Sequence, residues 1–179
     1  MLQDIHQVSA IQRYPLGFKY PISNPLDLRG FRYGKAGGTL NPDFGAKNAL
    51  AQHVAFTTIH TNALIGAKLV AIDVAATDGI NGDGNIAADE LVGGNIVIYP
   101  HSANTINRMI IGNTATVGGG VMVVTIDKPL PCPLTATTMH AECIANLYLN
   151  VQTSISNIMS VVGMPTMPAT VGQYLWLKT

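Results

Sequence analysis

Residues 118–127 read GGGVMVVTID: three glycines, then a run dominated by β-branched side chains, then an aspartate. β-Branched residues lose χ1 freedom in a helix and pack well on a pleated surface. The glycines supply the positive φ of a tight turn. The glycine run TVGGGV at 116–121 leads into a strand, so it lacks the helix N-terminus that would hold a phosphate. The stretch reads as a strand entered through a hairpin turn.

The neighbouring segments repeat the pattern. GNIVIYP (94–100) alternates Ile96 and Ile98 against Val97 and Tyr99 and stops at Pro100. AKLVAIDV (67–74), INRMIIGN (106–113), ECIANLYLNV (142–151) and GQYLWLKT (172–179) are further strand candidates. Helical periodicity is missing between them. Short strands punctuated by Gly, Pro and Asn predict an all-β fold, a sandwich or barrel of short antiparallel strands.

Residues 1–45 differ from the rest. They hold prolines at 15, 21, 25 and 42 and no sustained period. They are expected to form an extended N-terminal arm, leaving 46–179 as the β-rich domain. GFKY (17–20) and GFRY (30–33) each place two aromatics on one face of a strand and a cation on the other. Such an arm covers its own domain or docks on a neighbouring subunit. NPDFGAKNALAQ (41–52) has a capping Asn41 and a Pro42 suited to the first turn of a short helix, which Gly45 weakens.

Only 11% of the residues are charged, the formal net charge is zero, and 47% are hydrophobic. A surface this poor in charge favours association. No long basic run suggests direct nucleic-acid binding. No stretch reaches the roughly 18–20 apolar residues of a membrane helix. Cys132 and Cys143 do not make a disulfide framework and are expected to behave as small hydrophobes.

DGINGDGNIAADEL (78–91) is the stretch with the most apparent chemistry. With Gly84 at position 6 of a calcium loop, Asn81, Asp83 and Glu90 fall at positions 3, 5 and 12, and Asn85 offers a carbonyl at 7. Position 1 is Gly79, because Asp78 lies one residue too early. The flanks are strands and not helices. Asn81, Asp83, Asn85 and Glu90 are therefore calcium candidates set against a plain polar turn, which uses the same residue types. HAEC (140–143) has the His-x-Glu half of a zinc deaminase signature but no Pro-Cys-x-x-Cys after it. No nucleophile elbow or other catalytic constellation is present, and no enzyme is expected.

Taken in order, GFRYGKAGGTL (30–40), AADELVGGNIVIYP (87–100), IGNTAT (111–116) and VVGMPTMPATVGQYLWLKT (161–179) resemble a family of tailed-bacteriophage virion structural proteins, of the capsid-decoration or head-stabilising type. The resemblance spans residues 30–179. It implies a β-rich, non-enzymatic cement protein on the capsid exterior. The protein would bind the major capsid protein and itself, as a dimer or trimer, without membrane or direct nucleic-acid contact. In such relatives the last strand runs on into a Trp-Gly pair, so a continuation past Thr179 is expected. Phe31, Arg32, Tyr33, Tyr174 and Trp176 are the expected interface residues. The alternatives are a tail or neck component and a calcium-stabilised surface or adhesion module.

Overall fold

The computed structural model describes residues 3–21, 29–48, 53–101, 104–154 and 161–179. All regular structure among the described residues is β, as the alternation predicts. The chain forms two compact units. The central unit is Leu50–Asn146; the terminal unit joins Met1–Ala49 to Leu147–Thr179. The sequence suggests an arm over 1–45 and a domain over 46–179; in the structure both ends of the chain belong to one unit. The reason is pairing between the two ends, described below.

The central unit contains β3 (Val54–Thr58), β4 (Leu69–Val74), β5 (Asn95–Tyr99), β6 (Ile106–Asn113), β7 (Gly120–Ile126) and β8 (His140–Ile144). The six strands run β3-β8-β5-β6-β7-β4, every neighbour antiparallel. The sheet curls until its outer strands meet. Ile59, just past β3, bridges Ile72 of β4, and the His60 N–H donates to the Ala71 carbonyl at 2.8 Å. Register shifts between Ile110 and Gly112 and between Val54 and Thr57 sharpen the curl. The outer strands thus meet at one point, and the rest of their outer edges carries no ladder pairing among the described residues. Period-2 alternation sends Ile72, Ile96, Ile98, Ile110, Met122 and Val124 into one core. Burying each such side chain contributes about 1.5–3 kcal/mol.

The terminal unit contains β1 (Phe31–Lys35), β2 (Ala46–Asn48), β9 (Val151–Thr153), β10 (Val161–Pro165) and β11 (Tyr174–Lys178), in the order β1-β11-β10-β2-β9. Beyond β1, Ala36 bridges Val151 and the Gly37 N–H donates to the Val151 carbonyl at 2.8 Å. β11 is buried on both faces. Leu175 and Leu177 pack with Leu40, Ala46 and Val151; Trp176 packs on the opposite side with Phe31 and Tyr33. The N-terminal segment covers that second side: Ser9 bridges Tyr174, Lys19 bridges Arg32, and Ile5, Tyr14, Leu16 and Tyr20 pack on the aromatics. The arm thus lies over its own unit.

Two local expectations change. In 41–52, the Phe44 N–H closes a turn on the Asn41 carbonyl, and Ala46–Asn48 is a strand; 49–52 lie outside the described residues. Pairing of β2 with β9 and β10 outweighs a weak helical propensity. The segment 142–151 is not one strand: β8 ends at Ile144, and β9 begins at Val151 in the other unit.

Candidate assembly surfaces

The 78–91 loop is built on its own hydrogen bonds. Asp78 is buried, and its two carboxylate oxygens accept the Ala55 N–H at 3.1 Å and the Ala75 N–H at 2.8 Å. This ties the loop to the entry of β3 and the exit of β4. Gly84 sits at φ +69°, and a Cβ there would fall 2.3 Å from the Gly119 nitrogen, so only glycine fits. That close approach lets the Gly84 carbonyl accept from Thr116 Oγ1 at 2.9 Å and from the Gly119 N–H at 3.0 Å.

The calcium candidates do not converge on one point. Asp83 accepts from the Asn85 N–H and from Asn85 Nδ2, at 3.0 and 2.9 Å. The Asn85 side-chain oxygen accepts the Gly118 N–H at 2.8 Å. Glu90 turns away, accepting the Ala87 N–H at 2.7 Å and lying 3.0 Å from His53 Nε2. Asn81 is exposed. Among the described residues no three His, Cys, Asp or Glu side chains are grouped as metal ligands. The one-residue displacement of Asp78 has a physical meaning: its carboxylate anchors the base of a turn.

Two residues that carry this loop were not singled out in the sequence. The Asn113 amide accepts the Leu91 N–H at 2.9 Å and donates to the Ala87 carbonyl at 2.9 Å. His53 is buried beside Glu90, and its Nδ1 has no hydrogen-bond partner. A lone histidine and a lone asparagine give no sequence signal; only the folded chain brings them to the loop.

HAEC occupies β8, so alternation splits it. Cys143 points into the core, where burial pushes its thiol up to about 12. His140 stacks on Phe56 at 4.5 Å between ring centroids, and Glu142 accepts the Tyr99 hydroxyl at 2.7 Å. Cys143 thus lies on the opposite face of the strand from His140 and Glu142.

The aromatic residues expected at an interface are interior. Tyr33 and Trp176 are each 0% exposed and Phe31 is 5%. Tyr14, Tyr20 and Tyr33 surround the Trp176 ring at 5.2, 4.9 and 5.0 Å. The Trp176 indole N–H donates to the Gln3 carbonyl at 3.2 Å, and the Tyr33 hydroxyl to Gln3 Oε1 at 2.7 Å. Burial raises the Tyr33 hydroxyl above its ordinary range. Tyr174 is half-buried, stacked on Tyr33, and Arg32 donates to the Gly17 carbonyl at 2.9 Å. The chain's own N-terminal segment lies against this face.

Large apolar side chains are exposed in both units, among them Phe44, Val161 and Val171 of the terminal unit and a group on the outside of the central barrel. On the adjacent strands β6, β7 and β4, Met109, Ile111, Val121 and Leu69 are 46, 47, 45 and 58% exposed. Ala71 and Val123 pair on the same outer face, both half-buried. Thr125 and Asp73 share that outer face, paired with Leu69 and Val121, so the apolar side chains are interspersed with polar ones. Large apolar side chains gathered in the open on one face mark a contact surface.

No family model matches the chain, and neither the curated proteins nor the solved structures contain a match to it.

Proposed function

We propose that the chain is a structural assembly protein: a capsid-decoration or cement component of a tailed-bacteriophage virion that binds the major capsid protein shell. The observation that carries the assembly reading is the group of exposed apolar side chains on the outer face of β6, β7 and β4, on a chain with few charges. The phage role follows from the ordered resemblance of residues 30–179. Decoration proteins act in many copies, so each contact can be weak while the array is firmly held. A group of exposed apolar side chains on a curled sheet suits that demand.

The test is to separate virions into shells and tails and to quantify the protein in each. Many copies on shells are expected. Leu69→Asp with Ile111→Asp should abolish that occupancy in a folded protein. Recovery on tails alone would replace decoration with a tail or neck role. Absence from both fractions would overturn the virion reading.

A further inference from the structure

One inner position of the central unit breaks its apolar pattern. On β6, Ile106 and Ile110 face the core, and Arg108 lies between them in the same alternation. Its ladder partner is Ile96, which is fully buried. Directly opposed residues of an antiparallel pair share one face of the sheet, so the arginine stem starts from the inner face. Charged side chains at such positions are rare unless they are paired. The described ion pairs are His53 with Glu90 and His60 with Asp73, so Arg108 has no carboxylate partner among the described residues.

The guanidinium donates instead to two neutral acceptors, the Asn107 carbonyl at 2.9 Å and the Pro129 carbonyl at 3.3 Å. Its Nε is shut off from water and has no hydrogen-bond partner. The group carries more N–H donors than these bonds use. Arg108 also lines a cavity of about 340 Å³, within the size range of small-molecule sites. The segment after β7 passes this end of the sheet, with Leu130 and Leu134 sunk in the core and Pro131 and Cys132 lining the cavity. Asn104 and Thr105, both exposed, bring an amide and a hydroxyl to it.

We propose that this cavity binds a small organic oxyanion, a carboxylate or a phosphate ester with an apolar body. The oxyanion pairs with Arg108, whose planar fork matches two oxygens at once. Asn104 and Thr105 supply further donors, and Ile106, Pro131 and Cys132 pack on the apolar part. The ligand class follows from the lining: one cation without a counter-charge, neutral donors, an apolar wall and no acid. A partly desolvated cation attracts an anion more strongly than one in open water. The site stands apart from the assembly reading. It uses the inner side of β6, whereas Met109 and Ile111 of the same strand face out.

The experiment titrates the full chain with benzoate, phenyl phosphate and neutral benzamide by calorimetry. Alkylation of Cys132 by iodoacetamide is followed by mass spectrometry with each probe present. Benzoate, phenyl phosphate or both should bind with a dissociation constant of about 1 mM or tighter. They should also slow alkylation of Cys132 saturably, and the tighter of the two names the oxyanion. Benzamide should do neither. Arg108→Met removes the charge and keeps much of the stem, and should weaken binding by about tenfold or more. Arg108→Lys keeps the cation without the fork and should fall in between. Wild type alone overturns the proposal if neither anion binds, or if benzamide binds as well as benzoate. Undiminished binding by folded Arg108→Met also overturns it and leaves Arg108 as a pin for the Pro129 segment. Binding without protection of Cys132 places the anion elsewhere and ends the site. The capsid role is read from virion fractions, so either idea can fail without the other.

Discussion

The two units bury their apolar residues in opposite ways. The central barrel encloses its core completely, then leaves Leu69, Met109, Ile111 and Val121 bare on the outside. In the terminal sheet β11 is buried on both faces, because the N-terminal segment returns to cover the aromatics of β1 and β11, while Val161 and Met164 of β10 stay exposed. A strand such as YLWLK and a strand such as INRMIIGN are both rich in large apolar residues. What separates them is whether the same chain supplies a second layer. The terminal unit thus covers its aromatic face with its own chain, and the outer side of β6, β7 and β4 keeps large apolar side chains in the open.

Removing the cover's anchor is the strongest way to break this comparison. Trp176→Ala deletes a fully buried indole from among three tyrosines. It should cost about 3–5 kcal/mol in stability, read from the shift in urea midpoint. A loss under about 1 kcal/mol would mean that the aromatic face is not held closed in solution and is again a candidate interface.

The loop comes next. Asp78→Ala leaves the Ala55 and Ala75 N–H groups without their acceptor and should cost about 1–3 kcal/mol for each one kept from water. Calcium should not raise the melting temperature of wild type relative to EDTA, because the loop's oxygens serve its own backbone. A calcium-dependent rise would restore the metal reading and, with it, the adhesion alternative.

Cys143 tests how tightly the barrel is closed. Its thiol is raised from 9.0 to about 12, mainly by desolvation, with Asp78 and Glu142 adding to it. The neutral form is the one the fold prefers. The resulting stability is present below pH 9.0 and drains away as pH rises towards about 12. Cys143→Ala should flatten that alkaline slope in urea titrations. In native protein at pH 8, iodoacetamide should modify the half-buried Cys132 well before Cys143. Equal rates would show that the barrel opens readily.

The smallest effect on stability should come from the bare face. Leu69→Asp and Ile111→Asp lie outside the core, so folding should change by no more than about 0.5 kcal/mol each. Binding should nevertheless be lost. A large drop in stability instead would mean that these side chains serve the barrel and not a partner.

The strands of the central unit were legible because alternation is a local property. Ile96 and Ile98 face in, Val97 and Tyr99 do not, and no distant residue is needed to see it. The same rule placed Phe31 and Tyr33 on one face of GFRY and Arg32 on the other. It did not say what would lie against that face. β3 and β9 were overlooked because VAFTT and VQT are short and nearly without pattern, and their partners are distant in sequence. β10 carries no strand signal of its own, because Gly163 and Pro165 interrupt a run that only pairing with β2 and β11 makes a strand. In the 78–91 loop, the residue types fit a calcium loop and a polar turn equally well. The choice turned on where Asp78 and Glu90 point.

The sequence by itself determined the class of fold, the inward sides of most central strands, and a composition suited to association. These follow from side-chain alternation, β-branching and charge content, which each residue carries with it. Only the tertiary structure decided that the two chain ends form one unit, that Trp176 is core, and which apolar face stays uncovered. Those depend on contacts between residues far apart in sequence. In the extreme case Trp176 meets Gln3, and no local pattern contains that pairing.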